Sequence, residues 1–491
     1  MKLRDLLSGY PEPFKVIGLI DCFISGLCCD SRKVCLGDLF IALRGGQEQD
    51  RHQFVGQAVE RGAVALIVEE PVTVSIKIPQ VIVRNSRACL SYIAQNWYGN
   101  PAEKLINVGV TGTNGKTTTA YMLYQLLELL GSSCGYIGTL GLKVDDYFEK
   151  IGNTTPEPDV MQRSLKSLVD GGKRFSSIEV SSHALSLGRV DNIKFSVGIF
   201  TNFSRDHIDF HDSMTEYFDA KAILFEQLNK ESVAVLNIDD EKCKLLSDKT
   251  QARVIKYGES SLADFRLEKI EMAVDQMKLD IVAPDGNYSF STAVTGAFNC
   301  YNILAVLSAG FSLGFSTEEL CKAVSKIKVV PGRFEKIDLG QDFHVVVDYA
   351  HTPDALKKLL NSVRPLSKRR ILCVFGCGGD RDPGKRAPMG KIVDELSDVA
   401  WVTSDNPRTE DPQKIVNEII EGVSELKRFR IQLDRVKAIH EALEEAQVDD
   451  WVVIAGKGHE SDQELAQGSI KLDDRLVAKN FISNSVKQFL N

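Results

Sequence analysis

Runs of four or five Val, Ile, Leu and Ala residues recur along most of the chain, and stretches of helix-like amphipathic spacing separate them. A strand covered on both faces reads as an unbroken apolar run, and alternation of such runs with helices is the pattern of an α/β chain with largely parallel sheets. "LFIAL", "VALIV", "INVGV", "SSIEV", "VGIFT", "VAVLN", "VVVDY", "ILCVF", "VAWVT" and "WVVIA" are therefore predicted strands. The rhythm changes from about 265 to 292, where "FRLEKIEMAVDQMKLDIVAPDGNYSF" alternates around Pro-Asp-Gly-Asn and predicts a small antiparallel meander. Gly, Asn and Pro in "WYGNPAEK" (97–104) and "VVPGRFE" (329–335) mark two breaks. They divide the chain into units 1–100, 101–332 and 333–491.

Several predicted strands run straight into unusual polar clusters. "INVGV" leads to "TGTNGKTTT", "SSIEV" to "SSHA", "VGIFT" to "NFSRDHIDFHD", "VVVDY" to "AHTPD", "ILCVF" to "GCGGDRD", "VAWVT" to "SDNPR" and "WVVIA" to "GKGHE". Ligands of open parallel sheets bind beyond the carboxyl ends of the strands. Seven such junctions predict a cleft with more than one substrate.

Composition narrows the partners. With 59 Lys and Arg against 67 Asp and Glu, the 491-residue chain has a net charge of -8, which gives no basic footprint for nucleic acid. Its apolar runs fall short of the ~20 residues a membrane helix needs. The opening "MKLRDLLSGYPEPFK" lacks a signal-peptide core, so a cytoplasmic, non-membrane protein is expected. The 11 cysteines include no CxxC pair and read as reduced thiols.

The first cluster carries the clearest chemistry. Gly112, Thr113, Asn114, Gly115, Lys116, Thr117 and Thr118 lie between a strand and the helix-like "TAYMLYQLLELL", where backbone N–H groups and a helix N-terminus can cradle a polyphosphate. Lys116 would reach phosphate oxygens and Thr117 would bind Mg²⁺. Val110 stands where the common phosphate loop has its first glycine, so the loop reads as a shortened variant anchored by Gly112. Glu179 ends an apolar strand, where a carboxylate requires a cation, either Mg²⁺ or a salt-bridge partner. "NFSRDHIDFHD" holds His207 and His211 among three aspartates; His207 reads as a ligand of a second metal or as an incidental helix-start residue. Lys221 in "YFDAKAILF" reads by itself as a snorkelling surface lysine. Asn299 and Asn302 open an apolar helix, as caps or as donors to an adenine edge. Arg333, Asp348 and His351 follow the second break, placing an arginine where it can assist phosphoryl transfer.

Taken together, "TGTNGKTTT", "EVSSHAL", "TNFSRDHIDFH", "YFDAKAILF", "GAFNCYNILA", "VPGRFE", "VDYAHTPDAL" and "GCGGDRDPGKRAPMG" resemble the motif series of the Mur ligases over essentially the whole chain. "DSR" near the start and "DNPR" near the end are similar to the branch that adds the third peptide residue. The resemblance implies three domains: one for the UDP-sugar, a central P-loop ATPase built on a parallel sheet with the small meander, and a C-terminal Rossmann-like domain for the amino acid. It implies ATP and Mg²⁺ as cofactors, and UDP-MurNAc-L-Ala-D-Glu and meso-diaminopimelate as substrates of an ADP-forming ligase in peptidoglycan precursor synthesis, acting as a monomer. An L-lysine-adding ligase and a folylpolyglutamate synthase are the neighbouring alternatives; a nucleotide switch without ligation is the more distant one.

By position, the resemblance puts Ser31, Gly46, Gln47, Asn153, Thr154, Thr155, Ser181 and Arg189 on the UDP-MurNAc-dipeptide. Thr117, Glu179, His207 and Lys221, the last as a CO₂-derived carbamate, would hold metal, and Lys116 with the last three would be catalytic. The loop 112–118, Asn299, Arg333 and Asp348 would contact ATP. Arg381, Asp405, Asn406, Pro407, Arg408, Gly456 and Glu460 would receive diaminopimelate, with Arg408 gripping its distal carboxylate as a bidentate fork. Leu187 stands where a glutamine is frequent in the family, which leaves one polar contact to the dipeptide either absent or replaced.

Overall fold

The computed structural model describes residues 1–45, 50–206 and 208–489. Each of the ten apolar runs contains a strand, and these strands form the inner parts of three sheets. The first sheet is five-stranded: Gly26–Cys28, Asp38–Ile41, Ala65–Val68 and Gln80–Ile82 run parallel, and Lys15–Ile17 closes one edge antiparallel.

The second sheet has 11 strands. Its parallel centre places Ile106–Thr111 between Phe175–Glu179 and Phe195–Phe200, so the chain crosses from one side of the first strand to the other. Such a crossing opens a crevice at the strands' carboxyl ends. The residue after Thr111 is Gly112, which begins the expected phosphate loop. The meander is present as Phe265–Met272, Met277–Ala283 and Gly286–Thr292, and it extends the same sheet rather than forming a separate layer. The helices Lys116–Leu129 and Asn299–Ser312 pack together on one face, and an apolar cluster containing Val108, Leu123, Ile199, Val235, Leu304 and Leu307 fills the space between them and the sheet.

The third sheet orders its strands as Glu335–Ile337, His344–Asp348, Trp451–Ala455, Ile371–Phe375, Val399–Val402 and Phe429–Ile431, parallel except for the first pair. "GKGHE", "GCGGDRD" and "SDNPR" thus leave adjacent strands at the same edge.

A buried ion pair holds that edge together. Arg435 and Asp474 are both 0% exposed and share two hydrogen bonds of 2.8 and 2.7 Å; Arg435 also donates to the carbonyls of Ala455 (3.0 Å) and Ser404 (3.4 Å). Ala455 ends the strand that feeds "GKGHE", and Ser404 lies just past the strand that feeds "DNPR". Removing one member of a buried pair leaves an uncompensated charge, a loss of about 3–5 kcal/mol. Asp474→Ala is therefore expected to destabilise the protein by at least about 3 kcal/mol in denaturant unfolding, while the double replacement Arg435→Met, Asp474→Leu recovers most of it. Equal losses in the single and double variants would show that the pair's charges are not the source.

Candidate active site

The loop after Ile106–Thr111 takes the tight path expected of a phosphate cradle. Gly112 has φ +143° and passes so close to the neighbouring strand end that a Cβ there would lie 1.9 Å from Thr201 Oγ1. Asn202 brackets the loop, accepting from Asn114 N (3.0 Å) and donating to Asn114 O (3.0 Å). The helix begins at Lys116, whose ammonium folds back onto the carbonyls of Gly112 (2.9 Å) and Thr113 (2.7 Å). Burial, partly offset by the negative charges of Glu179 and Asp206, lowers its pKa.

Glu179 is wholly buried, as its place at the end of an inner strand predicts. One oxygen accepts from Tyr136 OH and Thr139 N (2.8 Å); the other accepts from Thr117 Oγ1 (2.8 Å) and Thr139 Oγ1 (3.1 Å). From the C-terminal sheet Arg333 Nη2 donates to the same Thr117 hydroxyl (3.0 Å), and its guanidinium lies 4.3 Å above the Tyr349 ring. Arg333 Nε is buried with no partner among the described residues. That leaves an unused donor on a guanidinium that already touches the start of the phosphate-loop helix. Asp348 aims this arginine: its oxygens accept from Phe334 N (2.7 Å) and Ala350 N (2.8 Å), fixing the turn in which Phe334 has φ +47°.

A cavity of about 820 Å³ spans this region. Its wall includes the loop 113–118, Glu179, Asn302, Arg333, Asp348, His351 and Arg381, together with Asn153, Thr154, Thr155, Ser181 and Arg189. A second cavity of about 930 Å³ is lined by Asn406, His459, Glu460, Glu464 and Arg475. The two share Thr139, Asn153, Thr154 and Tyr349. Reactants held in the two spaces would meet along that seam.

The Mur ligase middle-domain model matches residues 110–310, and the model of the Mur ligase glutamate ligase domain matches residues 332–458. A UDP-N-acetylmuramoyl-L-alanyl-D-glutamate–2,6-diaminopimelate ligase of Geobacillus kaustophilus is 43% identical over 98% of this chain and 99% of its own length. The chain belongs to the Mur ligase family. A solved structure of a UDP-N-acetylmuramoyl-L-alanyl-D-glutamate–2,6-diaminopimelate ligase is 31% identical, with TM-score 0.65 and 99% of both chains covered. The Thermotoga maritima MurF ligase, solved in complex with ADP, shares the fold at 18% identity and TM-score 0.67, over 94% of this chain and 98% of that one.

Within this Mur ligase the expected residues separate into groups. The phosphate-loop residues, Glu179, Arg333 and Asp348 come together as described. Asn299 does not reach the cavity wall: its amide donates to Thr295 O (2.7 Å) and accepts from Asn302 Nδ2 (2.9 Å), leaving Asn302 as the lining residue. Lys221 corrects the snorkelling reading, since it is 1% exposed, donates to Gly112 O (2.9 Å) and lies 4.2 Å from the Tyr217 ring centre. Burial first, then the charge of Lys116, pushes its pKa well down. His211 is a core residue bonded to Ser182 Oγ (3.0 Å). His207, Gly46 and Gln47 lie outside the described residues. Ser31 is buried against Gln57 (2.7 Å) in the first unit. Arg189 donates to Thr155 O (2.9 Å) and pairs with Glu157, which also pairs with Arg87 across the boundary between the first two sheets.

In the loops after the C-terminal strands Asn406 and Glu460 line the second cavity, joined by a 2.9 Å hydrogen bond. Arg408 adopts φ +52°; its Nε pairs with Glu464 (2.7 Å) and its Nη1 donates to Gly379 O (2.7 Å). Arg408 Nη1 and Arg381 Cγ both lie within 4 Å of a Cβ position built at Gly378. Arg381 itself lines the first cavity. Asp405 turns inward, accepting from Asn406 N (2.8 Å) and packing against Gly456, and Pro407 accepts from Glu410 N (3.1 Å) behind it. Sequence reasoning missed Tyr136, Thr139, Asn202, Tyr349 and Lys457. Only the last had a visible signal, a lysine placed directly after an inner strand.

Gly112→Ala tests whether this short loop is the phosphate cradle. The added methyl would overlap Thr201, so a loss of about 1–3 kcal/mol in stability is expected from overpacking. Calorimetric affinity for a non-hydrolysable ATP analogue should fall at least about tenfold if that strain of ~1.4 kcal/mol or more opposes the bound loop. Unchanged nucleotide affinity would place the phosphates elsewhere.

Proposed function

We propose that this Mur ligase joins meso-diaminopimelate to the D-glutamate γ-carboxylate of UDP-MurNAc-L-Ala-D-Glu at the expense of ATP. The observation that carries the reading is the seam: a nucleotide-sized cavity headed by a phosphate loop meets a cavity headed by Asn406 and Glu460 at Thr139, Thr154 and Tyr349. A free carboxylate is a poor acyl donor. Phosphorylation by ATP turns one carboxylate oxygen into a leaving group, the acceptor's neutral amine adds to the carbonyl carbon, and the tetrahedral intermediate expels phosphate to leave the amide.

The residues present fit this sequence. Arg333, with its unpartnered buried Nε, would stabilise charge on the transferring phosphoryl group, and Lys116 would leave the loop carbonyls for phosphate oxygens. Among the described residues no group of three or more His, Cys, Asp and Glu side chains gathers for a metal. Thr117, Thr139 and Glu179 instead offer hard oxygen donors, which with phosphate oxygens suit Mg²⁺. Bound there, Mg²⁺ would neutralise polyphosphate charge. Lys221 cannot ligate a cation as an ammonium. Its burial favours the neutral amine, which can add to CO₂ with loss of a proton and become an anionic oxygen donor. Ser31 and the first sheet are assigned to the UDP moiety, and Asn153, Thr155, Ser181 and Arg189 to the muramoyl-dipeptide. No helix among the described residues is long and apolar enough to cross a membrane. The form proposed is a cytoplasmic monomer acting on small molecules.

ADP formation should require ATP, UDP-MurNAc-L-Ala-D-Glu and an amino acid together, with strong preference for meso-diaminopimelate over L-lysine. Equal use of both amino acids would remove the acceptor assignment, and ADP release without either acceptor substrate would favour a nucleotide switch.

Two substitutions divide the roles. A hydrogen bond to a charged group contributes about 1.5–3 kcal/mol, so Arg408→Ala should raise the KM for diaminopimelate roughly ten- to 150-fold with little change for ATP. Similar rises for both would contradict a carboxylate-gripping role. Lys221→Ala should lose activity and regain part of it with bicarbonate or short carboxylates; failure across the whole series would count against a replaceable carboxylate.

A further inference from the structure

Lys457 is the second residue of "GKGHE" and is 0% exposed. A buried ammonium needs its three N–H groups satisfied. Its acceptors are Asn406 Oδ1 (2.9 Å), Glu460 Oε2 (2.8 Å) and Asp462 O (2.8 Å). These lie on two segments that leave different strands of the C-terminal sheet: Asn406 after Val399–Val402, Glu460 and Asp462 after Trp451–Ala455.

The network determines which way the acceptor-facing groups turn. Asn406 Oδ1 accepts from Lys457 and from Glu464 N (3.0 Å), so its amide nitrogen must face Glu460, where it donates at 2.9 Å. Glu460 Oε2 is thereby occupied by two donors. Its other oxygen, Oε1, lies 3.4 Å from Tyr349 OH at the seam of the two cavities. The same network reaches Arg408: Glu464, whose N–H bonds to Asn406, pairs with Arg408 Nε and accepts from Arg408 N (3.1 Å).

We propose that Lys457 is a positioning residue that sets acceptor specificity, by holding Asn406, Glu460 and the Arg408–Glu464 pair in register so that an amino group and a distal carboxylate are recognised together. Lys457 is fully buried and all three of its N–H groups are taken up by protein acceptors, so it acts through these residues and does not touch substrate. Without it, Asn406 keeps only the Glu464 N–H to oppose an amide flip. Glu460 also loses its nearest counter-charge in a cavity whose wall carries three other cations, Lys143, Lys150 and Arg475. The inference rests on the reading of the second cavity as the amino-acid site.

The test is a saturation series for each substrate in Lys457→Met and Lys457→Arg, with ADP formation and ligand-induced thermal shifts as readouts. Truncating one partner of a buried charged network weakens binding about thirtyfold or more. The expected result for Lys457→Met is a diaminopimelate KM raised by about that factor, with ATP and UDP-MurNAc-dipeptide KM values within about threefold of the parent. Its preference for diaminopimelate over L-lysine should also fall. Lys457→Arg keeps the charge and should restore part of the discrimination. Equal rises for all substrates would mean a general structural role, and an unchanged diaminopimelate KM would mean none; either overturns the proposal. If Lys457→Met does not accumulate, the same split, read in Lys457→Arg alone, decides the matter. Failure of the parent enzyme to respond to diaminopimelate would instead refute the underlying assignment of the cavity.

Discussion

One guanidinium crosses the seam between the two larger sheets and ties the C-terminal unit to the phosphate-loop helix. Arg333 is carried by the segment entering the C-terminal sheet, yet it donates to Thr117 at the start of the phosphate-loop helix. Thr117 in turn bonds to Glu179, so a single chain of polar contacts links the C-terminal unit to the end of an inner strand of the central sheet. Asn114 adds a parallel tie to Asp354 (3.0 Å). Two units that fold around separate cores thereby present one active surface.

That contact is useful only because each partner is held from behind. Asp348 uses both carboxylate oxygens on backbone N–H groups to fix the turn that aims Arg333, and Tyr349 supplies the aromatic face beneath it. Glu179 would be costly at 0% exposure without its four hydrogen bonds. The same rule governs the acceptor side. Arg435–Asp474 ties the ends of the two strands that flank Ile371–Phe375, and Lys457 ties the loops that follow them. Charges buried in this way define orientation, because an alternative side-chain direction would leave at least one of them unpaired.

The position of Tyr349 connects the two halves of the chemistry. Its ring supports the arginine on the phosphate side, and its hydroxyl faces Glu460 on the acceptor side. Under the proposed reaction, acyl activation and amine attack would take place on opposite sides of one residue, along the seam that Thr139 and Thr154 also line. Enclosing both steps would keep an activated acyl group away from water.

The apolar runs alone determined the α/β class, the ten inner strands and the polar clusters at their ends, because a strand buried on both faces must be apolar and its first freedom to be polar comes where it leaves the sheet. Short edge strands such as Lys15–Ile17 and Gly468–Lys471 were not legible, since exposed residues carry no burial signal. "CGYIG" hid an inner strand behind two glycines. In the site, the loop 112–118 and Glu179 were legible because strand, turn and helix are contiguous in sequence. Lys221 read by itself as a surface lysine, and Asn299 as a cap or adenine contact, because neither spacing nor periodicity tells which neighbour a polar side chain meets. Only the tertiary structure buried Lys221 against Gly112, turned Asn299 inward and gathered Arg333, Thr117 and Tyr349 from three places in the chain. Sequence specifies which groups cannot face water or cannot avoid it; which partner satisfies each buried charge is decided when the sheets are assembled.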